Sequence, residues 1–286
     1  MDYEQAVGMG NDTVVRRVRH FDLEQTLDCG QCFRWRKNAD GSYSGVALGR
    51  ELTVGQRGGD LIFHDTAPGD FRRLWRPYFD LDRDYGAVKR ALCSDPVMRR
   101  AVDFCPGMRV ARQEPWEALC TFIISQNNNI PRIKGIVQRL CEGFGRLLPG
   151  GGFAFPGPER LAGLQPQDLA DIRSGFRARY ILDAARLVHA GELELDTLYT
   201  LELARARESL MRVKGVGPKV AECALLYGLG RAECFPVDVW IARALEQLYP
   251  GGFPAAFAPV AGIAQQYLFH YIRHHPGGSG KPLKGL

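Results

Sequence analysis

No apolar run in this 286-residue chain approaches the roughly 20 residues needed to cross a bilayer, so neither a membrane span nor a membrane partner is expected. The opening residues, Met1 to Gln5, hold neither a basic cluster nor an apolar stretch, and no secretory leader is expected. The eight cysteines are therefore read as reduced thiols of a cytosolic-type compartment rather than as disulfides. Metal-ligand spacing is lacking as well. Cys29 and Cys32 have the spacing of half a zinc site, but no second CxxC or CxxH pair accompanies them, so no metal is expected. Internal repeats and low-complexity blocks are absent. Neither charge is in strong excess. The net charge of +5 is compatible with a polyanionic partner without requiring one. What the chain does have is 45% hydrophobic content, ample for one large globular domain or two smaller ones.

Two periodicities divide the chain. Residues 31–36, 43–48, 51–54 and 60–63 read as short strands parted by turn signals such as Asn38-Ala39-Asp40-Gly41, the spacing of an antiparallel meander. From Asp70 on, the period becomes helical, with Phe71, Leu74, Trp75 and Tyr78 three and four residues apart. Helices are expected over 115–125, 131–144, 167–172, 178–190, 203–211, 219–228, 237–249 and 259–274. The expected fold is α+β. An N-terminal antiparallel sheet domain with helices spans 1–110, an all-α domain spans 111–275, and 276–286 forms a mobile Gly- and Pro-rich tail.

The run LMRVKGVGPKVAEC at 210–223, followed by FPVD at 235–238, carries the chemistry. Gly215 and Gly217 fall where a chain reversing between two helices needs positive φ and close backbone approach. Their amides, with those of the next helix, suit a phosphate; an ordinary structural turn reads equally well. Val216 between them can anchor the hairpin while the amides stay exposed. Lys219 begins the second helix, where the positive helix end and burial both disfavour its charged form. A neutral amine is a nucleophile, although most lysines are solvated surface charges. Asp238, behind Pro236, reads either as a helix N-cap or as a carboxylate facing developing positive charge.

Taken with four further motifs, this run resembles the 8-oxoguanine DNA glycosylase/lyase family of the helix-hairpin-helix superfamily. The motifs are GQCFRW at 30–35, SQNNNI at 125–130 with Arg132, GFRARY at 175–180, and AGIAQ at 261–265 with Phe269. The hairpin alone points only to the superfamily; the five in order point to the family. The resemblance covers nearly the whole chain, from about Phe21 to Phe269.

The resemblance implies excision of 8-oxoguanine opposite cytosine from double-stranded DNA, then strand cleavage by β-elimination, with no cofactor. Lys219 would attack the sugar C1′ and form a Schiff base, and Asp238 would stabilise the charge developing on the sugar. Gly30 would accept a hydrogen bond from N7–H of the damaged base, a proton that normal guanine lacks; by itself it reads equally as a turn glycine. Cys223 and Phe269 would sandwich the base and Gln265 would read its Watson–Crick edge; without the family, Cys223 and Phe269 read as core. Asn127 would fill the gap in the duplex. Arg132 and Arg177 would donate to the unpaired cytosine, whose N3 and O2 only accept. Phe176 would wedge into the stack beside it. Trp240 departs from the pattern, since animal relatives carry histidine there, which leaves a phosphate contact in doubt. A compact monomer is implied, cytoplasmic at the nucleoid in a prokaryote and nuclear in a eukaryote.

Two rivals are weighed against this. An alkylpurine glycosylase of the same superfamily needs no lysine, and iron–sulfur relatives need four cysteines after the hairpin domain, where only Cys234 lies beyond Cys223. A non-catalytic module would use the hairpin for phosphates alone and bind DNA without turnover.

Overall fold

The computed structural model describes residues 2–275. The stretch expected to be a mobile tail, 276–286, lies outside them. Six antiparallel strands form one sheet: β1 (Gln5–Met9), β2 (Asp12–Arg16), β3 (Trp35–Lys37), β4 (Tyr43–Ala47), β5 (Arg50–Arg57) and β6 (Asp60–Phe63). Their order is β1-β2-β6-β5-β4-β3, a meander of β3 to β6 extended by the β1–β2 hairpin on its β6 side. In the central pairs, Val14 faces Ile62 and Tyr43 faces Val54. Alternation puts Leu52, Val54, Leu61 and Phe63 inward. They pack on Phe71, Trp75 and Phe79 from the helical stretch after β6, with Phe63 and Phe71 edge to face at 5.0 Å.

The sheet departs from expectation at its ends. β1 precedes the first expected strand and is mostly exposed, so it lacks the buried alternation that marks the others. The run 31–36 enters a strand only at Trp35, behind a short helix, α1 (Leu23–Leu27). Gly30, at φ +90°, turns the chain, and Gln31 is fully buried in side-chain hydrogen bonds instead of pairing with a neighbouring strand.

The helical layer follows expectation more closely. Its principal helices are α2 (Tyr85–Leu92), α3 (Pro96–Phe104), α4 (Pro115–Ser125), α5 (Ile130–Phe144), α6 (Arg177–His189), α7 (Leu203–Met211), α8 (Pro218–Leu229), α9 (Val239–Leu248) and α10 (Ala261–His274). Caps set the starts. Asn129 accepts from Arg132 N and Asp238 from Ile241 N, so α5 and α9 begin one residue after each. Residues 166–172 form a 3-10 turn rather than an α-helix, and a second one over Ala255–Val260 takes up Pro259 ahead of α10. α4 and α8 are mostly apolar and buried nearly end to end, forming the centre of the second core. They run antiparallel. A Cβ at Gly228 would lie 3.0 Å from both Ala118 Cβ and Pro115 Cα, so the approach is close.

One buried arginine ties the two layers. Arg109 is wholly inaccessible. It donates to Asp2 Oδ2 at 2.6 Å and to the carbonyls of His20 at 3.0 Å and Asp80 at 2.7 Å. Its ring partner, Tyr85, lies 4.3 Å away and donates nothing to it; the Tyr85 hydroxyl instead accepts from Val110 N at 2.9 Å. Replacing Arg109 by Met strands the Asp2 carboxylate and several carbonyls. A loss of about 3–5 kcal/mol is expected in urea unfolding. A loss below about 1 kcal/mol would show that the network is incidental.

Candidate active site

α8 starts at Pro218 with Gly217 as its cap residue, and no side chain caps it, so its first amides are free. Gly215 has φ +79°, and an added Cβ would overlap the Tyr180 ring, so the expected close approach is present there. Gly217 differs from expectation: its φ is −100° and nothing lies within 4 Å of an added Cβ, so neither positive φ nor crowding selects it. Open space in front of the free amides is what a side chain there would obstruct. Val216 is buried and anchors the hairpin.

Lys219 stands in the first turn of α8. Because α8 runs antiparallel to α4, its amine reaches the end of that helix, 3.3 Å from Ser125 Oγ and 5.3 Å from the centre of the Phe122 ring. It opens into a cavity of about 700 Å³ that is also lined by Gly30, Cys223, Asp238, Gln265 and Phe269. The residues expected for catalysis and base binding therefore converge on one pocket.

Asp238 is the N-cap of α9 and also lines this pocket. Its Oδ1 caps α9, accepting from Trp240 N at 3.0 Å and Ile241 N at 2.9 Å, which leaves Oδ2 outside the cap. The segment before it is pinned by Glu222 on α8. That buried carboxylate accepts from Phe235 N at 2.6 Å and is bonded to Arg207 on α7. Four residues after Lys219, Cys223 is buried, and burial pushes its thiol up to about 11. It is a neutral, apolar-like wall at ordinary pH.

The opposite wall comes from α10. Gln265, Phe269 and Arg273 recur every fourth residue and share one face. Gln265 is buried and its Oε1 has no hydrogen-bond partner. Gly30 sits against this face: a Cβ there would lie 3.0 Å from Ile130 Cδ1 and 3.6 Å from the Phe269 ring. Among the described residues nothing donates to the Gly30 carbonyl. The turn that presents it is held from both sides. Gln266 donates to Cys29 O at 3.3 Å and accepts from the Tyr227 hydroxyl. Gln31 donates to Thr26 O and Arg109 O, both at 2.7 Å, and accepts from Ala111 N at 2.9 Å. The pocket thus offers two unoccupied acceptors on rigid supports. Leaving a buried acceptor such as Gln265 Oε1 unpaired is costly, and a donor-rich ligand removes that cost.

A second group lies apart from this pocket. Asn127, at φ +46°, is exposed in the loop between α4 and α5. Arg177 is buried beneath Phe176, 4.4 Å from its ring, and donates to the carbonyls of Gln126, Asn127 and Ser174. It braces the Asn127 loop in this conformation. Arg132 is exposed, and its charge adds to burial in lowering the Arg177 pKa, so the two arginines are neighbours. Phe176 is 42% exposed, an outward-standing ring beside them. Sequence reasoning did not single out Ser125, Gln31, Gln266 or Glu222 for these roles. Ser125 and Gln31 lie inside recognised motifs, but their partners are 94 and 78–80 residues away in sequence.

The chain is similar to known proteins over nearly its whole length. Residues 13–119 match the family model for the 8-oxoguanine DNA glycosylase N-terminal domain, and 120–252 match that for HhH-GPD superfamily base excision DNA repair proteins. A structure described as MBOgg1 with a low-affinity DNA ligand is 42% identical, with a TM-score of 0.91, over 96% of this chain and 100% of that one. The chain belongs to the 8-oxoguanine DNA glycosylase/lyase family. As a member it is a DNA-repair glycosylase with lyase activity. The Clostridium acetobutylicum 8-oxoguanine glycosylase/lyase, solved with double-stranded DNA containing cytosine opposite 8-oxoG, is 36% identical at the same TM-score and again covered in full. A Saccharomyces cerevisiae N-glycosylase/DNA lyase is 38% identical over half of this chain, which spans 42% of that longer relative.

The Gly30 carbonyl should be sensitive to any added bulk. Gly30→Ala forces a side chain into positive φ, at about 1–2 kcal/mol, and against Ile130. A fall of roughly tenfold or more in 8-oxoguanine excision relative to wild type is expected in single-turnover assays. Wild-type rates in a folded variant would remove Gly30 from base recognition.

Proposed function

We propose that the protein excises 8-oxoguanine paired with cytosine through a Lys219 Schiff base and then cleaves the strand by β-elimination. The observation that carries this reading is the pair of vacant acceptors, Gly30 O and Gln265 Oε1, beside the Lys219 amine in one pocket. 8-Oxoguanine presents N–H donors on both its N7 and Watson–Crick sides. Normal guanine presents an acceptor at N7, so two lone pairs would face each other at Gly30, and a site built on such a bond discriminates strongly.

The target base leaves the stack to enter the pocket, between the Cys223 thiol and the Phe269 ring. The Lys219 amine, as free base, donates its lone pair to C1′. The glycosidic bond breaks, and the base leaves with the bonding electrons and takes up a proton. The Asp238 carboxylate offsets positive charge on the sugar as that bond lengthens. Loss of the amine proton and ring opening give an imine between Lys219 and C1′. That imine acidifies C2′–H. Its proton is removed, a C2′–C3′ double bond forms, and the 3′ phosphate departs.

On the other strand, Asn127 fills the gap, Phe176 wedges beside the orphaned cytosine, and Arg132 and Arg177 donate to its N3 and O2. Arg177 must first release the loop carbonyls it holds. The amides of Gly215 and Gly217, with those of Lys219 and Val220 in the uncapped first turn of α8, hold a phosphate of the damaged strand. The enzyme acts as a monomer on this reading.

Lys219→Gln should abolish strand cleavage and borohydride trapping while leaving binding to an 8-oxoguanine:cytosine duplex; a normal nicking rate would show that the nucleophile lies elsewhere. Arg132 is the cleaner test of opposite-base reading, because Arg177 also braces the loop. Arg132→Ala should narrow the rate advantage of cytosine over the other opposite bases by roughly tenfold. Unchanged ratios against all four bases would exclude it from that role.

A further inference from the structure

Among the described residues, Arg273 is the one guanidinium in the wall of this pocket, and none of them uses its donors. It is half-buried on α10, one turn beyond Phe269, with its guanidinium carbon 5.2 Å from the centre of that ring. A Cβ at Gly30 would lie 3.4 Å from one of its terminal nitrogens. Among the described residues it forms no hydrogen bond and no ion pair. Burial lowers its pKa, and Cys29 and Asp238 counter this only through space. The contrast with the other buried arginines is sharp. Arg109 and Arg177 spend their donors on carboxylate and carbonyl oxygens. A half-desolvated charge without an acceptor is costly, and an anion in the pocket would remove that cost.

We propose that Arg273 binds a phosphate flanking the extruded nucleotide. This rests on the reading above, in which a flipped nucleoside occupies the pocket. A nucleotide entering there brings two anionic phosphodiesters to its mouth. Guanidinium forms two parallel bonds to such an oxygen pair, whereas the base edge is already matched by Gly30 and Gln265. Trp240, where animal relatives carry histidine, supplies no cationic donor at the neighbouring wall. Contact with Phe269 holds the guanidinium in the pocket wall, so the residue that would cover the base and the residue that would hold its backbone are positioned by one helix turn.

Duplexes with a neutral methylphosphonate at either phosphate flanking 8-oxoguanine test this without altering the protein. Wild-type affinity should fall roughly tenfold or more at one of the two positions. Arg273→Gln should bind the natural duplex correspondingly weakly, lose nothing further at that position, and show a shallower salt dependence by about one phosphate. Arg273→Lys should recover part of the loss. Additive losses at both positions with an unchanged salt slope would overturn the proposal and make Arg273 a brace for Phe269. A changed preference for 8-oxoguanine over guanine with an unchanged salt slope would overturn it in favour of base contact. Borohydride trapping of wild type on the natural duplex separates these outcomes from failure of the proposed function itself.

Discussion

The close antiparallel packing of Pro115–Ser125 against Pro218–Leu229 is the constraint on which the site depends. Both helices are buried along nearly their whole length, so they form the centre of a core rather than its boundary. Gly228 lets them approach at one end, against Pro115 and Ala118. At the other end the pair has to open to solvent, because the polar residues there, Ser125 and Lys219, cannot be packed away. The pocket occupies that open end. Its floor, with Phe122 and Tyr227 stacked at 4.9 Å, is thus part of the same packing that holds the fold together.

Around this floor the polar groups fall into two states. Most buried ones are satisfied: Arg109, Gln31, Gln266 and Glu222 each bond to more than one partner. Three that line the pocket are not. Gly30 O, Gln265 Oε1 and the Arg273 guanidinium have no partner among the described residues. Two of the satisfied groups, Gln31 and Gln266, are the immediate sequence neighbours of unsatisfied ones, Gly30 and Gln265. Gln31 and Gln266 fix the turn at Gly30, and Glu222 fixes the approach to Asp238. Rigid support behind vacant hydrogen-bonding groups is the arrangement that discriminates between ligands differing by one proton.

Much of this was legible in the sequence, for specific reasons. The helices over 115–125 and 203–211 were marked at both ends by proline or periodicity and formed as expected. The hairpin, Lys219 and Asp238 could be found by local chemistry, since a helix start and an N-cap are local signals. Gly30 could not: its positive φ looks like any turn glycine until Phe269 and Ile130 are placed beside it. The strand expected at 31–36 failed for the same reason, because Gln31 finds its partners in 109–111, far along the chain. Arg177 read as a free donor, yet it is buried and holds the Asn127 loop. Glu222 carries no signal of its own in the sequence, since only the fold brings Arg207 and Phe235 to it.

The most direct test is to map the covalent adduct. The protein is incubated with an 8-oxoguanine:cytosine duplex and borohydride, digested, and the modified peptide identified by mass spectrometry. The proposed function predicts a single sugar adduct on Lys219, absent with an undamaged duplex. An adduct on another amine, or tight binding of the damaged duplex with no adduct at all, would contradict it.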